Sequence, residues 1–447
     1  MHIIHIASEC APFVKIGGLA DVTYGLSRAL ANQEGISVEI ILPYYKTIDT
    51  SSLASLTKDP LSTTDCTYWK SSFDNITLTL VEPLTNNFFQ RDEIYGFEDD
   101  AQRFIYFCQK AFNYVKSQQK DAILHLHDWH TALVALLNQR ADKPYPTLYT
   151  IHNLAYQGPC SNATLQSAGF TTQELSLLKE QDHYLLMKAG IEYCDRITTV
   201  SKTYAQEIIT SEKGGNLQPL LFAHQDKIDG IVNGIDTEYW NRQTDPYLPK
   251  GFDKHAMQKK LGLEVSDVPL VCSVTRLVEQ KGPLLILEAI KETLRLGGQY
   301  VLLAAVADPQ ITQRFLELKD EPNLFMQLTY SEELSHLAFA ASDLLVMPSL
   351  FEPCGLTQLI AMRYGCLPLV HATGGLKETV AAGKNGFSFE TPTKEALRAC
   401  LHQAFAAYRD PQKWQGMLAE AVSEDHSWKK SVKKYLTLYK KNRNLNR

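Results

Sequence analysis

Residues 343–380, DLLVMPSLFEPCGLTQLIAMRYGCLPLVHATGGLKETV, decide the fold predicted for this chain. They begin with an apolar run, Leu344–Met347, that is too short for a buried helix and typical of a strand in a parallel sheet covered on both faces. Pro348 ends this run. After a short turn, the apolar residues of 356–364 recur at helical spacing, and Gly365 marks the end of that helix. The pattern predicts a strand, a tight turn and a helix in succession.

The turn between this strand and this helix is a candidate ligand site. In an open α/β sheet, ligands bind at the carboxyl ends of the strands. A helix N-terminus at that edge presents unpaired N–H groups and about half a unit of positive charge, which suits a phosphate. Gly355 would let an anion approach the backbone beside Cys354, Leu356 and Thr357. Glu352 cannot attract an anion, but its carboxylate can accept hydrogen bonds from sugar hydroxyls. Phosphate and sugar together indicate a nucleotide sugar.

A second turn, formed by Thr373, Gly374 and Gly375, follows the strand predicted at 366–370 and offers further backbone N–H groups to an anion. A simpler interpretation stays open, in which Glu352 caps a helix and the glycines form ordinary turns. Two such turns, spaced one strand apart, favour a binding site.

Composition limits the classes of partner. The 447 residues are 45% hydrophobic and 21% charged, which predicts two or three domains with large cores. A net charge of -6 and a pI of about 6.1 give no basic footprint for nucleic acid. The nine cysteines contain no C-x-x-C pair and are typical of reduced thiols. We find no signal peptide and no apolar segment near the roughly 18 residues that cross a bilayer, so we expect a cytoplasmic protein with no membrane partner.

The N-terminus repeats the pattern of strand, glycine loop and helix. A strand predicted at 3–7 leads through Lys15, Gly17 and Gly18 into a helix predicted at 20–30. The loop lacks G-x-G-x-x-G and is therefore not the dinucleotide-binding fingerprint. A lysine beside two glycines can present its ammonium group and exposed backbone N–H groups to the same anion. The alternative is a solvated lysine in a flexible loop.

Histidines cluster around the end of the strand predicted at 122–126. His125, His127 and His130 suggest metal ligands, but His125 and His127 alternate with leucines in the strand. Since neither a cysteine nor a further carboxylate completes a site, we expect no metal. Asp128, at the end of the strand, fits a residue that orients a substrate.

The strand predicted at Thr147–Ile151 ends in His152. A histidine at a strand terminus is either a satisfied polar group or a contact for a sugar hydroxyl, and both interpretations stay open.

Residues 50–87 are polar and irregular with scattered β-prone pieces, and a helix is predicted at 172–192. A polar linker at 241–251 precedes a fresh alternation of strands and helices that begins at residue 269. Arg276 and Lys281 follow the first of these strands. Two cations at a carboxyl edge suit a diphosphate leaving group, although two surface cations would give the same sequence. At the end of the chain, residues 427–441 predict an amphipathic helix with a lysine-rich face. Such a helix fits terminal packing better than binding to a membrane or an anionic partner.

Taken together, five motifs resemble those of the bacterial glycogen synthase and plant starch synthase family. They occur in the family's order and are KIGGLADV at 15–22, HDWH at 127–130, HNLAYQG at 152–158, NGID at 233–236 and FEPCGLTQ at 351–358. The resemblance implies an α/β protein with two Rossmann-like domains facing each other across a deep cleft, the GT-B glycosyltransferase fold. It implies an acceptor-side domain at 1–240, a donor-side domain at 241–426, and a final helix at 427–447 that crosses back to the first domain.

The family's activity follows as an expectation. It is the transfer of glucose from ADP-glucose to the non-reducing end of an α-1,4-glucan, with retention of configuration and without metal or cofactor. By resemblance, the expected catalytic residues are Glu352, His152, Arg276, Lys281 and Asp128. The residues expected to bind the donor are Lys15, Gly17, Gly18, Asp21, Tyr95, Asn233, Tyr330, Cys354, Gly355, Leu356, Thr357, Thr373, Gly374 and Gly375.

The chain departs from the family pattern at three places. The turn at 304–308, which includes Ala307, lacks the expected glycines, and His371 stands where an arginine is expected. Ile360 stands where related transferases outside the family carry a second glutamate, which favours the glycogen and starch synthases. Three other functions stay open: a UDP-glucose-dependent transferase, a non-catalytic glucan-binding protein on the same fold, and a nicotinamide-dependent oxidoreductase.

Overall fold

The computed structural model describes residues 1–306 and 308–445. Ala307, in the turn predicted to lack glycine, and residues 446–447 of the predicted terminal helix lie outside the described residues. The chain forms two compact units. Unit 1 comprises Met1–Gly234 and the described part of Trp428–Arg447, and unit 2 comprises Ile235–Ser427.

The elements are numbered here in chain order. The strands are β1 His2–Ile6, β2 Ser37–Pro43, β3 Thr57–Lys58, β4 Cys66–Phe73, β5 Ile76–Pro83, β6 Ile123–His127, β7 Thr147–Ile151, β8 Pro159–Cys160, β9 Lys179–Glu180, β10 His183–Leu185, β11 Arg196–Thr199, β12 Ile228–Gly230, β13 Leu270–Leu277, β14 Gln299–Val306, β15 Leu324–Gln327, β16 Leu344–Met347, β17 Leu367–His371 and β18 Phe387–Phe389. The helices are α1 Gly18–Ala31, α2 Asp100–Gln118, α3 Trp129–Arg140, α4 Asn162–Ser167, α5 Met187–Tyr193, α6 Lys202–Thr210, α7 Gln218–Ala223, α8 Lys254–Leu261, α9 Pro283–Arg295, α10 Pro309–Leu316, α11 Glu332–Ala341, α12 Thr357–Tyr364, α13 Gly374–Thr379, α14 Lys394–Tyr408, α15 Pro411–Ser423 and α16 Trp428–Leu445.

Unit 1 is built on a nine-stranded sheet with the order β12-β11-β7-β6-β1-β2-β5-β4-β3. The strands from β12 to β5 run parallel, and β4 and β3 add an antiparallel edge. The central strands β1, β6 and β7 are almost wholly buried because helices cover both faces of a parallel sheet. A small antiparallel sheet, β8-β10-β9, lies outside this main sheet.

The last helix, α16, belongs to unit 1. Its apolar residues Trp428, Val432, Tyr435 and Tyr439 are buried, while its lysines face solvent. Asn442 Nδ2 donates to the Thr147 carbonyl oxygen at 2.7 Å. Among the described residues, no helix combines the length and the apolar character needed to cross a bilayer.

Unit 2 is built on a six-stranded parallel sheet with the order β15-β14-β13-β16-β17-β18. Helices alternate with its strands along the chain, as right-handed crossovers between parallel strands require. The sequence-based prediction of an α/β fold with Rossmann-like sheets is confirmed. Because β13, β16 and β17 are neighbours, the loops at their carboxyl ends lie side by side.

Two regions are built differently from the sequence-based expectations. Within residues 50–87, where only scattered β-prone pieces are expected, the eight-residue strands β4 and β5 form and extend the main sheet. The helix predicted at 172–192 was wrong for most of its length: it contains a short turn at Ser176–Leu178, β9 and β10 before α5 begins at Met187. Leu175 and Leu178 are buried at the turn, and Tyr184 and Leu185 are buried in the small antiparallel sheet, so their spacing did not require a helix.

Candidate functional site

Three loops of unit 2 meet at the carboxyl edge of its sheet. They follow β13, β16 and β17 and, with the first residues of the helices after them, carry half of the residues expected to bind the donor, together with Lys281 and Glu352. Leu350 N–H donates to the Gln280 carbonyl oxygen at 2.8 Å, and Gln280 Nε2 donates to the Phe351 carbonyl oxygen at 3.2 Å. These bonds fix the loop that carries Lys281 against the loop that carries Glu352.

Lys281 and Glu352 form an ion pair across these two loops. The Lys281 ammonium donates to Glu352 Oε2, and Ser349 Oγ donates to the same oxygen at 2.9 Å. Glu352 is only 6% exposed, so its carboxylate needs such partners. Its second oxygen, Oε1, receives no hydrogen bond from the described residues, and it is this oxygen that can accept one from a ligand hydroxyl.

Glycines allow these loops to approach so closely. Gly282 has φ +63, and a Cβ there would lie 2.5 Å from the Pro348 carbonyl oxygen. Gly374 has φ +46, and a Cβ there would lie 2.0 Å from the Glu352 carbonyl oxygen. A Cβ on Gly375 would lie 2.2 Å from the Cys354 carbonyl oxygen. The three glycines thus define how the segment 348–354 is held.

The backbone donors of the Thr373 turn are mostly occupied within the protein. Thr373 N–H donates to the His371 carbonyl oxygen, and Gly375 N–H donates to the Glu352 carbonyl oxygen, both at 2.9 Å. The Gly375 amide is therefore a support for Glu352 rather than a donor open to an anion. The turn that leads into α12 differs, since Gly355 has φ +72 and precedes the N-terminus of an eight-residue helix.

Arg276 and Tyr330 present exposed side chains in unit 2. The Arg276 guanidinium makes no hydrogen bond or ion pair with any described residue, which leaves its five N–H donors to solvent or a ligand. Tyr330 is 64% exposed, and its hydroxyl bonds the Glu332 carboxylate at the start of α11. His371, in place of the expected arginine, is buried with Nδ1 2.7 Å from the Ser349 carbonyl oxygen.

In unit 1, a buried glutamate that the sequence analysis did not single out organises the N-terminal loop. Glu9 Oε2 accepts hydrogen bonds from Ile16 N–H at 2.8 Å and Gly17 N–H at 3.0 Å. The hydroxyl of Tyr95 lies 2.8 Å from Glu9 Oε1, and burial raises the pKa of Tyr95. Gly17 thus donates inside the protein, and α1 begins at Gly18.

Lys15 projects from this loop toward the first turn of α1. Its ammonium lies 3.0 Å from Asp21 Oδ1, and both side chains are more than one-third exposed. The pair sets a cation at the N-terminus of α1, where solvent or an anion can reach it. Asn233, also expected at the donor, is buried, and its Oδ1 has no partner within residues 1–306 and 308–445.

Asp128 adopts a backbone conformation that is rare for a residue with a side chain, with φ +55 between β6 and α3. Its Oδ1 accepts hydrogen bonds from His152 N–H at 2.7 Å and Asn153 N–H at 3.4 Å. Burial raises the pKa of the Asp128 carboxyl to about 7, and the neighbouring Glu9 carboxylate adds to this shift. The residue therefore holds the strand end that carries His152.

His152 is partly exposed and bonded to the buried histidines of the sheet. Its Nε2 lies 2.9 Å from His127 Nδ1, and His127 Nε2 lies 2.9 Å from His5 Nδ1. His5, His125 and His127 offer ring nitrogens within 4.8 Å of one another, which is the one histidine group of the described chain that could hold a metal ion. His130, which the sequence analysis grouped with His125 and His127, is not part of that group.

Comparisons with known proteins assign the family. Residues 2–223 match the family model described as starch synthase catalytic domain, and residues 254–417 match the model described as glycosyl transferases group 1. A glycogen synthase of Protochlamydia amoebophila is 38% identical over 98% of this chain and 99% of its own length. A probable starch synthase 4 of Arabidopsis thaliana is 39% identical over 98% of this chain, which spans 47% of that longer protein.

A solved structure extends the comparison to the fold. The catalytic domain of starch synthase IV from Arabidopsis thaliana, bound to ADP and acarbose, is 38% identical to this chain. It superposes with a TM-score of 0.91 over 99% of each chain. The chain therefore belongs to the family of bacterial glycogen synthases and plant starch synthases and has its GT-B glycosyltransferase fold.

Proposed function

We propose that this protein is a glycogen synthase that transfers glucose from ADP-glucose to the non-reducing end of an α-1,4-glucan with retention of configuration. The observation that carries the proposal is the arrangement of Lys281, Ser349 and Glu352 at the carboxyl edge of β13 and β16, beside the N-terminus of α12. Cations, helix amides and an oriented carboxylate are the groups that a nucleotide sugar requires. The family membership and the ADP in the related starch synthase support the same substrate.

Unit 2 is the donor-binding unit in this proposal. Arg276 and Lys281 bind the diphosphate, together with the amides of Gly355, Leu356 and Thr357 at the start of α12. Glu352 accepts hydrogen bonds from glucose hydroxyls through Oε1, while Lys281 and Ser349 hold Oε2. The exposed ring of Tyr330 stacks on the adenine.

Unit 1 supplies the acceptor side and further donor contacts. His152 and Asp128 contact the glucosyl group, and Lys15 with the loop at Gly17 and Gly18 contacts the donor phosphates. Further donor contacts come from Asp21, Tyr95 and Asn233. We place the enzyme in the cytoplasm, in agreement with nine buried cysteines that form no disulfide in the described chain.

The chemistry proceeds on one face of the sugar. The acceptor hydroxyl oxygen forms a bond to the anomeric carbon while the bond from that carbon to the ADP phosphate breaks. The hydroxyl proton passes to the departing phosphate, so ADP leaves and no group of the protein is consumed. Arg276, Lys281 and the α12 amides stabilise the negative charge that grows on the diphosphate.

The test is release of ADP from ADP-glucose in the presence of glycogen, with UDP-glucose measured on the same primer. The proposal predicts ADP release that depends on glycogen, incorporation of labelled glucose into the glucan, and a higher kcat/KM for ADP-glucose. A higher kcat/KM for UDP-glucose would make the chain a UDP-glucose-dependent transferase. Glycogen binding without turnover of either donor would make it a non-catalytic glucan-binding protein.

A further inference from the structure

Three histidines form a continuous hydrogen-bonded chain at the carboxyl ends of β1, β6 and β7, which are adjacent in the sheet of unit 1. His5 and His127 are wholly buried, while His152 is partly exposed. Both ring nitrogens of His127 are used, one by His5 and one by His152. At the inner end of this histidine chain, His5 Nε2 is buried and bonds no described group. At the outer end, His152 Nδ1 bonds no described group either and is not enclosed.

Burial keeps all three rings neutral. It lowers the pKa of His5 and of His152 to about 3 and the pKa of His127 well below its usual value. A neutral imidazole has one N–H donor and one nitrogen lone pair, so each hydrogen bond fixes the tautomer of the next ring. Only two arrangements of protons along the histidine chain are consistent with both hydrogen bonds.

In the first arrangement, each ring carries its proton on Nδ1. His5 donates to His127, His127 donates to His152, and His152 presents Nδ1–H at the open end. In the second, each proton sits on Nε2, and a buried N–H of His5 has no acceptor. In folded proteins, buried N–H groups without a partner are rarer than buried acceptors without one. The first arrangement is favoured because it leaves only a lone pair unpaired at the buried end.

We propose that His127 and His5 are positioning residues that hold His152 in the Nδ1–H tautomer, so that His152 donates a hydrogen bond to a substrate oxygen. That the oxygen belongs to the transferred sugar rests on the proposed function. The Asp128 side chain, through Oδ1, fixes the backbone of His152. The histidine chain fixes which of its ring nitrogens carries the proton.

A metal at the buried histidines would exclude this arrangement. Both nitrogens of His125 are already bonded, Nε2 to Thr150 Oγ1 at 2.6 Å and Nδ1 to the Tyr439 hydroxyl at 2.7 Å. Zinc needs ring nitrogens at about 2.0–2.1 Å, so ligation by His5, His125 and His127 would break these bonds and the histidine chain together.

The first experiment determines the histidine tautomers by 15N NMR spectroscopy. It uses the full-length protein, labelled with [15N]histidine and free of substrate. The His152 ring signals are assigned by their loss in a His152→Gln variant. The proposal predicts the proton of His152, His127 and His5 on Nδ1. A His152 proton on Nε2 would overturn it, as would one zinc ion per chain in the purified protein. Because no substrate is present, this result is independent of the proposed function.

The second experiment compares His127→Phe with His125→Phe. His125 is an equally buried ring on the same strand, 4.2 Å from the His127 ring centroid, but lies outside the histidine chain. His127→Phe is expected to lose the Nδ1–H signature of His152 and about 10- to 100-fold in kcat/KM for ADP-glucose, because His152 loses its donor. His125→Phe is expected to keep that signature.

Three results separate the possibilities. Retention of the His152 Nδ1–H signal in His127→Phe would overturn the proposal. If His127→Phe does not fold, the spectrum of the unmodified protein decides. If the tautomers are as predicted but the protein does not turn over ADP-glucose, the proposed function is refuted, while the role of the histidine chain in fixing the His152 tautomer is supported.

Discussion

The backbones of Gly374 and Glu352 are in contact, so that a Cβ atom on residue 374 would lie 2.0 Å from the Glu352 carbonyl oxygen. The same carbonyl accepts the Gly375 N–H at 2.9 Å. The position of the Glu352 carboxylate thus depends on a turn that follows the next strand of the sheet.

Gly374→Ala is therefore expected to reduce glucosyl transfer by about 100-fold or more, by displacing Glu352 from a preorganised position. Gly383→Ala is the matched control, because Gly383 also has positive φ, +76, but no atom lies near its Cβ position. Both variants should lose about 1–2 kcal/mol of stability from the positive φ. Steady-state kinetics and denaturant titration check the two effects, and equal activity losses in the two variants would contradict the prediction.

Arg276 and Lys281 are expected to differ in their effect on stability. Either change to alanine should lower kcat by about 100- to 1,000-fold, since each removes a donor to the leaving diphosphate. Arg276→Ala should leave the free energy of unfolding within about 0.5 kcal/mol, because the side chain is exposed. Lys281→Ala should also destabilise the protein, because it leaves the Glu352 carboxylate with Ser349 as its remaining partner.

Two variants control this comparison. Lys281→Ala combined with Glu352→Gln should recover stability without recovering activity, since the buried charge is gone. Lys291→Ala removes an exposed cation from α9 and should change neither quantity. An Arg276→Ala or Lys281→Ala enzyme that turns over within a few-fold of the parent would refute the diphosphate role of that residue.

Asp128 is expected to make stability depend on pH. Its carboxyl has a pKa of about 7 in the folded protein, against an ordinary value of 3.8, so the folded state holds the proton that the unfolded state has lost. The resulting contribution of Asp128 to the free energy of unfolding is fully present below about pH 4. It is lost as pH rises to about 7, with a slope of at most about 1.4 kcal/mol per pH unit. Asp128→Asn should remove that decline, as denaturant titrations between pH 4.5 and 7.5 would reveal.

Asp142→Asn is the control for this experiment, because Asp142 has a similar φ of +60 but an exposed side chain. The difference in free energy of unfolding between Asp142→Asn and the parent protein should stay constant across the pH range. A constant difference for Asp128→Asn as well would show that the Asp128 carboxyl is ionised throughout.

Glycine-to-alanine changes in two helices are expected to act in opposite directions. Gly25 in α1 faces Trp428 of α16, and a Cβ there would lie 2.0 Å from the indole Nε1. Gly25→Ala should destabilise the protein by about 1–3 kcal/mol through overpacking. Gly416→Ala in α15 meets no atom within 4 Å and should stabilise it by about 0.5–1 kcal/mol through helix propensity. Thermal unfolding of both variants measures the contrast.

The sequence predicted those elements whose local pattern and tertiary setting agree. The strands Leu344–Met347 and Thr147–Ile151 occur at the predicted residues because a short apolar run between turns is a sufficient signal for a buried parallel strand. The helix predicted at 172–192 was wrong because periodicity does not distinguish one way of burying apolar residues from another. The rule that ligands bind at the carboxyl edge correctly brought together the loops of Lys281 and Glu352.

Residues that act through distant neighbours escaped the sequence analysis. In the sequence, nothing distinguishes Glu9 from other acidic residues. In the fold, its carboxylate accepts hydrogen bonds from the amides of Ile16 and Gly17. His5 is 122 positions from His127, and only the order of the strands in the sheet makes them partners. Such pairs carry no signal in a single sequence.

The return of the C-terminal helix to unit 1 has a consequence for biosynthesis. The groove over Gly25 stays open until Trp428 has left the ribosome, after the whole of unit 2 has been translated. Unit 2 can therefore complete its folding during synthesis before unit 1 does. A chain that terminates before α16 would have an incomplete core in unit 1 and would be exposed to proteolytic quality control.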